Sequence, residues 1–359
     1  RRRLDREGGL PVSDDLEPLA PSEALDLYLN GRDELSAKTA DGQKYRLRAF
    51  VQWCDEEGIS NLNNVSGRDL YRYRVWRRDG GYSGDELKTV TLRGDMATLR
   101  AFLKFCASID GVDEGLFEQV PLPQLDVGGD VSDTTLDADR AVEILDYLGT
   151  YQYASRTHVI MLVLWHTGCR VGALRGLDLG DLDLEGDRAE ADGPAIHFVH
   201  RPAKDTPLKN SERGERWNAI SSQVAEVLQK YIEGPRIDVV DDYNREPLVT
   251  TDYGRMSASA MRNTLYRITR PCWRGEDCPH DRDIRTCEAA NDDGKFSTCP
   301  SARSPHDVRS GRVTAFRRED VDRVLVSERM DASEDVLDKH YDRRSSRQKA
   351  AQRRRFLDL

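Results

Sequence analysis

The segment VPLPQLDVGGDVSD, residues 120–133, constrains the fold more than any other stretch of the chain. Its two prolines cannot join a helix interior or a central strand, its glycine pair is conformationally loose, and its acids favour solvent. With the Gly- and acid-containing residues before it, roughly 111–133 read as a linker. At 359 residues the chain is too long for one ordinary compact domain, so it is expected to divide here. Residues 1–20, polar, acidic and Pro-containing, read as a flexible N-terminal segment, 21–110 as a first domain and 134–359 as a second.

Between Ser22 and Ala107 the spacing predicts four helical segments. One carries Leu47, Phe50, Val51 and Cys54 and stops at Gly58. Another opens after Ser66, and the last carries Leu92, Met96, Leu99, Leu103 and Cys106. Their outer faces hold Lys44, Arg46, Arg48, Arg68, Arg72, Arg93, Arg100 and Lys104. Such a face suits a phosphate backbone, although any one of these charges is more simply a solvated surface group.

Beyond the linker, TLDADRAVEILDYL reads as an exposed helix and RTHVIMLVLWHTG as a buried one. Gly168 breaks the latter and Arg170 opens the next, which aims a guanidinium out of an apolar wall. The stretch AIHFVHRPAKDTPLKNSERGERWNAIS alternates like a hairpin, with Lys204 and Lys209 in its polar tip. In RSPHDVRSGRVTAF, His306 and Arg309 lie one helical turn apart. In SEDVLDKHYDRRS, Ser333 can cap a helix carrying Val336, Leu337, His340 and Tyr341, and the plain reading of Tyr341 taken alone is core packing. The fold class expected is mainly α with a small antiparallel β-sheet (α+β).

Charge adds a bound on the partner. The net charge is −10, Asp outnumbers Glu about two to one, and only ten of the 54 basic residues are Lys. That balance suits a protein kept hydrated in concentrated salt, and a halophilic, archaeal cytoplasm is the expected setting. An acidic chain ordinarily argues against nucleic acid, but local Arg clusters can still bind phosphate bidentately. No apolar stretch reaches membrane-spanning length and no charged-then-apolar leader opens the chain. Its start at RRRLDREGG without a Met reads as trimmed.

The ordered set Arg170, hairpin Lys, His306-x-x-Arg309 and Tyr341, with 32 residues from Arg309 to Tyr341, resembles the tyrosine recombinases, or phage-type integrases. The resemblance covers nearly the whole chain: a helical core-binding domain, a linker and a catalytic domain. It implies that Tyr341 attacks a DNA phosphodiester, forming a 3′-phosphotyrosyl link and releasing a 5′-hydroxyl. A phenol with a reference pKa near about 10 must lose its proton, phosphoryl charge must be neutralised, and the departing oxygen must be protonated. Arg170 and Arg309 suit the second task, His306 proton handling, and Lys209, favoured over Lys204, the third. No cofactor is required for catalysis, since the covalent intermediate conserves the bond energy. The partners implied are double-stranded DNA at specific sites and a homo-tetramer assembled on it through the C-terminal segment SSRQKAAQRRRFLDL. A type IB topoisomerase and a non-catalytic DNA-binding regulator on a decayed recombinase scaffold remain alternatives.

Two positions depart from the family pattern. The acid usually found three residues after the first Arg is Ala173 here, so Asp178 or Asp181 is expected to orient Arg170. The His or Trp usual about nine residues before the nucleophile falls at Ala332, so either His340 substitutes for it or the role is dispensable.

Four of the seven cysteines, Cys272, Cys278, Cys287 and Cys299, crowd into a polar insertion, 270–303, that the family pattern does not require. In a reducing cytoplasm four thiols with five, eight and eleven residues between them favour a structural Zn2+ over disulfides, with His280 able to replace one. Cys54, Cys106 and Cys169 read as reduced core residues, and His197 and His200 as structural or surface groups.

Overall fold

The computed structural model of the chain describes residues 16–32, 35, 37–125, 134–187, 193–319 and 321–337. It divides into two units, Arg1–Ser132 and Asp133–Leu359, and its fold is α+β.

In the first unit the four helical segments form as α1 (Pro21–Asn30), α2 (Ala37–Glu56), α3 (Gly67–Arg78) and α4 (Thr89–Ala107). Their apolar stripes meet in an aromatic core. Tyr28 packs edge-on against Phe102 at 5.4 Å between ring centroids, and Phe50 against Tyr73 at 5.1 Å. Edge-to-face geometry is the arrangement the ring quadrupoles favour. The stretch expected to be linker contributes to this core: Val112, Leu116 and Val120 are buried, with residues Leu116–Gln119 in a short 3-10 turn packed on α4. Three apolar residues at i, i+4 and i+8 outweigh the loop-like composition around them. One buried ion pair, Arg77–Asp95 at 3.0 Å, joins α3 to α4, and Arg46 of α2 reaches the same carboxylate at 3.3 Å.

The second unit is built around α6 (Arg156–Thr167), which follows the amphipathic α5 (Ala138–Tyr151). Val159, Ile160, Met161, Val163 and Leu164 are all buried, as an apolar all-round helix requires. After the short α7 (Val171–Gly176) come β1 (Leu182–Asp183), β2 (Ala195–Phe198) and β3 (Arg216–Ala219), one antiparallel sheet in the order β1-β2-β3. The expected hairpin is thus β2–β3, with Phe198 opposite Arg216; β1 has only two residues and leaves no alternation to detect. The chain continues through α8 (Ser222–Glu233), a small ribbon of β4 (Thr250–Thr251) and β5 (Gly254–Arg255), and α9 (Ala258–Ile268). The Cys-rich insertion holds the short α10 (Glu288–Asn291) between two 3-10 turns, Pro271–Arg274 and Phe296–Thr298, and precedes α11 (Pro305–Arg318), α12 (Arg323–Met330) and α13 (Glu334–Val336).

Charge rather than apolar packing seats the base of the β2–β3 connection. Arg201 pairs with Asp181 at 2.6 Å, Arg245 with Asp241 at 2.8 Å and Asp178 at 3.4 Å, and Arg255 with Asp241 at 2.8 Å and with Asp178. Arg245 also donates to the Lys204 carbonyl and the Thr206 hydroxyl, each at 2.9 Å. Burial works to raise the Asp241 carboxyl, but hydrogen bonds from Arg255, Arg245 and two backbone N–H groups prevail and hold it at about 2.

Candidate active site

The buried helix α6 ends at Gly168, whose φ of 64° places it in the left-handed region that glycine enters freely. Met330 packs against the face where a side chain would stand. Two residues later Arg170 is the N-cap of α7 and projects its guanidinium away from the core, 30% exposed.

Arg309 arrives from α11, a helix capped by Ser304, with Pro305 in its first turn and a reciprocal capping box through Asp307. Its side chain is 2% exposed. One nitrogen, Nη1, donates to the Gly168 carbonyl at 2.7 Å and to the Met330 carbonyl at 2.6 Å. Arg170 Nη1 donates to the next carbonyl, that of Asp331, at 2.8 Å, and to the Asp331 carboxylate at 2.6 Å. Two arginines separated by 139 residues of sequence are therefore fixed to one turn, Met330–Asp331.

The hairpin tip is tied to that turn as well. Asn210 Nδ2 donates to Asp331 Oδ1 at 2.7 Å, and its neighbour Lys209 is exposed beside it, in an open cleft lined by His200, Lys209, Asn210 and Glu212 among others. Lys204 sits at the base of the connection, where its carbonyl is taken by Arg245. The structure brings Arg170, Arg309 and the Lys209 segment together and leaves Lys204 with the ion-pair network. His306, exposed in the first turn of α11, precedes Arg309 by one turn. Ser333 caps α13, accepting from Val336 N–H at 3.4 Å, and Leu337 is buried. Tyr341 and His340 lie outside the described residues.

Sequence reasoning missed two members of this cluster. Arg216, on β3, donates to the Arg329 carbonyl at 2.9 Å and lies over the Phe198 ring. Burial pushes its guanidinium down, Cys169 and Asp331 act upward, and Arg309 and Arg170 push it further down, so the three arginines share one electrostatic field. An Arg in an alternating strand carries no local mark of such a place. Asp331 is the second. The expectation that Asp178 or Asp181 orients Arg170 is corrected, because both serve Arg201, and Asp178 serves Arg245 and Arg255 too. Ala332 is buried core.

His197 stacks on Trp217 at 4.3 Å, and His200 Nδ1 accepts from Leu208 N–H at 2.9 Å, so both brace the hairpin. Cys54, Cys106 and Cys169 are buried free thiols, and burial pushes Cys54 and Cys106 up to about 12. Cys272, Cys278, Cys287 and Cys299 are free thiols too, and with His280 they line one small cavity. Burial raises Cys272, Arg270 lowers it, and the other three thiols raise it again. Among the described residues, no group of three or more His, Cys, Asp or Glu side chains converges closely enough to hold a metal ion.

In the first unit, Lys44, Arg46 and Arg48 stand on α2 and Arg93, Arg100 and Lys104 on α4. Lys44, Arg48, Arg100 and Lys104 are exposed. Arg46 is drawn to Asp95 and Thr98, and Arg93 donates to the Pro123 carbonyl at 2.6 Å, so these two also have structural tasks. No helix among the described residues is long and apolar enough to cross a membrane.

Residues 23–108 match the family model described as phage integrase, N-terminal SAM-like domain. Over 201 residues the chain is 26% identical to tyrosine recombinase XerC of Azotobacter vinelandii, covering 55% of this chain and 62% of that protein. Over 215 residues it is 28% identical to tyrosine recombinase XerC of Bacillus pumilus, covering 58% and 61%. The chain thus spans about three fifths of the length of these curated relatives. Among solved structures, the integrase of transposon Tn1549 in complex with a circular intermediate DNA matches with a TM-score of 0.65 at 17% identity, over 94% of this chain and 99% of that one.

Proposed function

Because the chain belongs to the tyrosine recombinase family, we propose that it is a site-specific DNA recombinase, cleaving and rejoining strands through a 3′-phosphotyrosyl intermediate. The observation that carries the reading is the anchoring of Arg170 and Arg309 to the single turn Met330–Asp331. Two planar cations held by backbone carbonyls keep their positions when phosphate charge develops, which is what lowers the barrier of a transesterification. In this proposal Tyr341 is the nucleophile, His306 exchanges its proton, and Lys209 protonates the departing 5′-oxygen. Lys209 is favoured over Lys204 because Asn210 ties its segment to Asp331. The α2 and α4 faces bearing Lys44, Arg48, Arg100 and Lys104 grip the duplex, with Arg46 and Arg93 adding charge at its edge. A homo-tetramer on DNA and a host cytoplasm of concentrated salt belong to the same proposal; the Asp-rich, Lys-poor composition supports the latter.

Tyr341→Phe removes one oxygen and tests the chemistry. On DNA carrying the ends of the genetic element that encodes the chain, the parent should form a protein–DNA adduct in high salt. The Phe variant should bind the same DNA and form none. An adduct that persists in the Phe variant would assign the nucleophile wrongly. Relaxation of a supercoiled plasmid without strand exchange would favour the topoisomerase alternative, and site binding with no adduct by the parent would favour the regulator.

A structural zinc among Cys272, Cys278, Cys287 and Cys299 is also proposed. Their shared cavity supports it, while the open spacing of the ligands means that they would have to draw together around the ion. Protein purified without chelator should contain about one zinc per chain on this four-ligand reading, and its removal should loosen the entry to α11. Metal-free protein with four titratable thiols and undiminished stability would sink it.

A further inference from the structure

We propose that Asp331 is the positioning acid of this site: its carboxylate holds the Arg170 guanidinium by one nitrogen, so that the opposite edge faces a DNA phosphate. The inference rests on the recombinase reading above. Position 173, one turn after Arg170, is alanine, and Asp178 and Asp181 serve other arginines. Asp331 supplies the acid from 161 residues away, with Oδ2 at 2.6 Å and its backbone carbonyl at 2.8 Å from the same atom, Nη1.

That choice of nitrogen decides between holding and blocking. Nε and Nη2 of Arg170 donate to none of the described residues, and the side chain is 30% exposed. The Nε–Nη2 edge carries two parallel N–H bonds and fits two oxygens of a phosphodiester. A carboxylate acting as a stand-in for phosphate would take that edge; Asp331 leaves it open.

The other carboxylate oxygen, Oδ1, accepts from Asn210, next to Lys209, at 2.7 Å. One side chain therefore ties the first arginine to the hairpin tip, while the carbonyl beside it, that of Met330, holds Arg309. Asp331 does this from a φ of 53°, a left-handed conformation that L residues rarely adopt. Its negative charge also lies among Arg170, Arg216 and Arg309, which repel one another. With the carboxylate gone, the most exposed of the three is the one free to swing away.

Asp331→Gly deletes the carboxylate, retains the carbonyl and suits the left-handed backbone, so lost activity cannot be charged to strain. Asp331→Asn keeps shape and one acceptor without the charge. The readouts are the rate of adduct formation on DNA carrying the element's ends and the affinity for that DNA. The Gly variant should lose about 100-fold in adduct rate, as a misplaced binding group does, with affinity essentially unchanged and the Asn variant between. Adding Ala173→Asp places a carboxylate three residues after Arg170, at the i+3 spacing from which it can pair with the guanidinium, and should restore part of the rate. An unchanged rate in the Gly variant, or faster cleavage with tighter DNA binding, would overturn the proposal. If the parent forms no adduct, the recombinase reading fails instead, and the pairing is read without DNA from hydrogen exchange at the Arg170 guanidinium. Slower exchange in the parent than in the Gly variant supports it, and equal exchange overturns it.

Discussion

Gly311→Ala is expected to destabilise the second unit by about 3 kcal/mol, at the upper end of what overpacking costs. The sign is the informative part. In an exposed helix interior the same change stabilises by about 1 kcal/mol, because alanine loses less backbone freedom than glycine. Here a Cβ on Gly311 would stand 1.9 Å from the Leu136 carbonyl oxygen and 2.9 Å from its carbon. Those are backbone atoms and cannot rotate aside. Leu136 N–H also donates to the Asp307 carbonyl at 3.0 Å, and Thr134 to the Asp307 carboxylate at 2.8 Å, so the clash falls on a clamp that joins the entry of the unit to α11. Thermal unfolding should show a midpoint lower by roughly 6–12 °C, at 2–4 °C per kcal/mol for a unit of this size. A variant as stable as the parent would mean that α11 does not lie this close to residue 136.

Arg309→Lys is expected to be nearly as damaging as removal of the side chain. Lysine keeps the charge but replaces a planar fork with one point donor. Arg309 serves the Gly168 and Met330 carbonyls at 2.7 and 2.6 Å from inside the protein, and a lysine cannot fill that place with its charge equally satisfied. Losing such bonds should cost about 1–3 kcal/mol of stability. The adduct rate should fall by roughly 100- to 1000-fold, the usual effect of losing one preorganised donor to a developing oxyanion. Denaturant titration and adduct kinetics read the two effects separately. A lysine variant that cleaves DNA at the parental rate would remove Arg309 from the phosphate-binding role.

The pieces of this fold that were legible in sequence are those written in local periodicity. Leu47, Phe50 and Cys54 mark α2, and Leu92, Met96, Leu99 and Leu103 mark α4; all seven are buried. Gly168 and Arg170 mark a helix end and the next helix start, and both stand there. What stayed hidden depends on contacts between distant segments. Asp331 and Arg170 meet across 161 residues, and no spacing rule within one helix could pair them. Asp178 and Asp181, the acids nearest to Arg170 along the chain, are engaged by three other arginines. Val112, Leu116 and Val120 were hidden by their Gly-, Pro- and Asp-rich surroundings, where composition outvoted a helical interval of four.

The ion-pair seat beneath the β2–β3 connection has a consequence for the solvent in which the hairpin tip stays put. Arg245, Arg255 and Asp241 have side chains no more than 9% exposed, so dissolved ions scarcely reach between them. At molar salt the screening length shrinks to about 3 Å and pairs on the open surface lose most of their attraction, while excluded pairs are screened much less. A tip moored by surface charges would drift in brine. The Arg245–Asp241–Arg255 part of this mooring loses far less, so the backbone that carries Lys209 and Asn210 keeps most of its foundation from dilute buffer to concentrated salt.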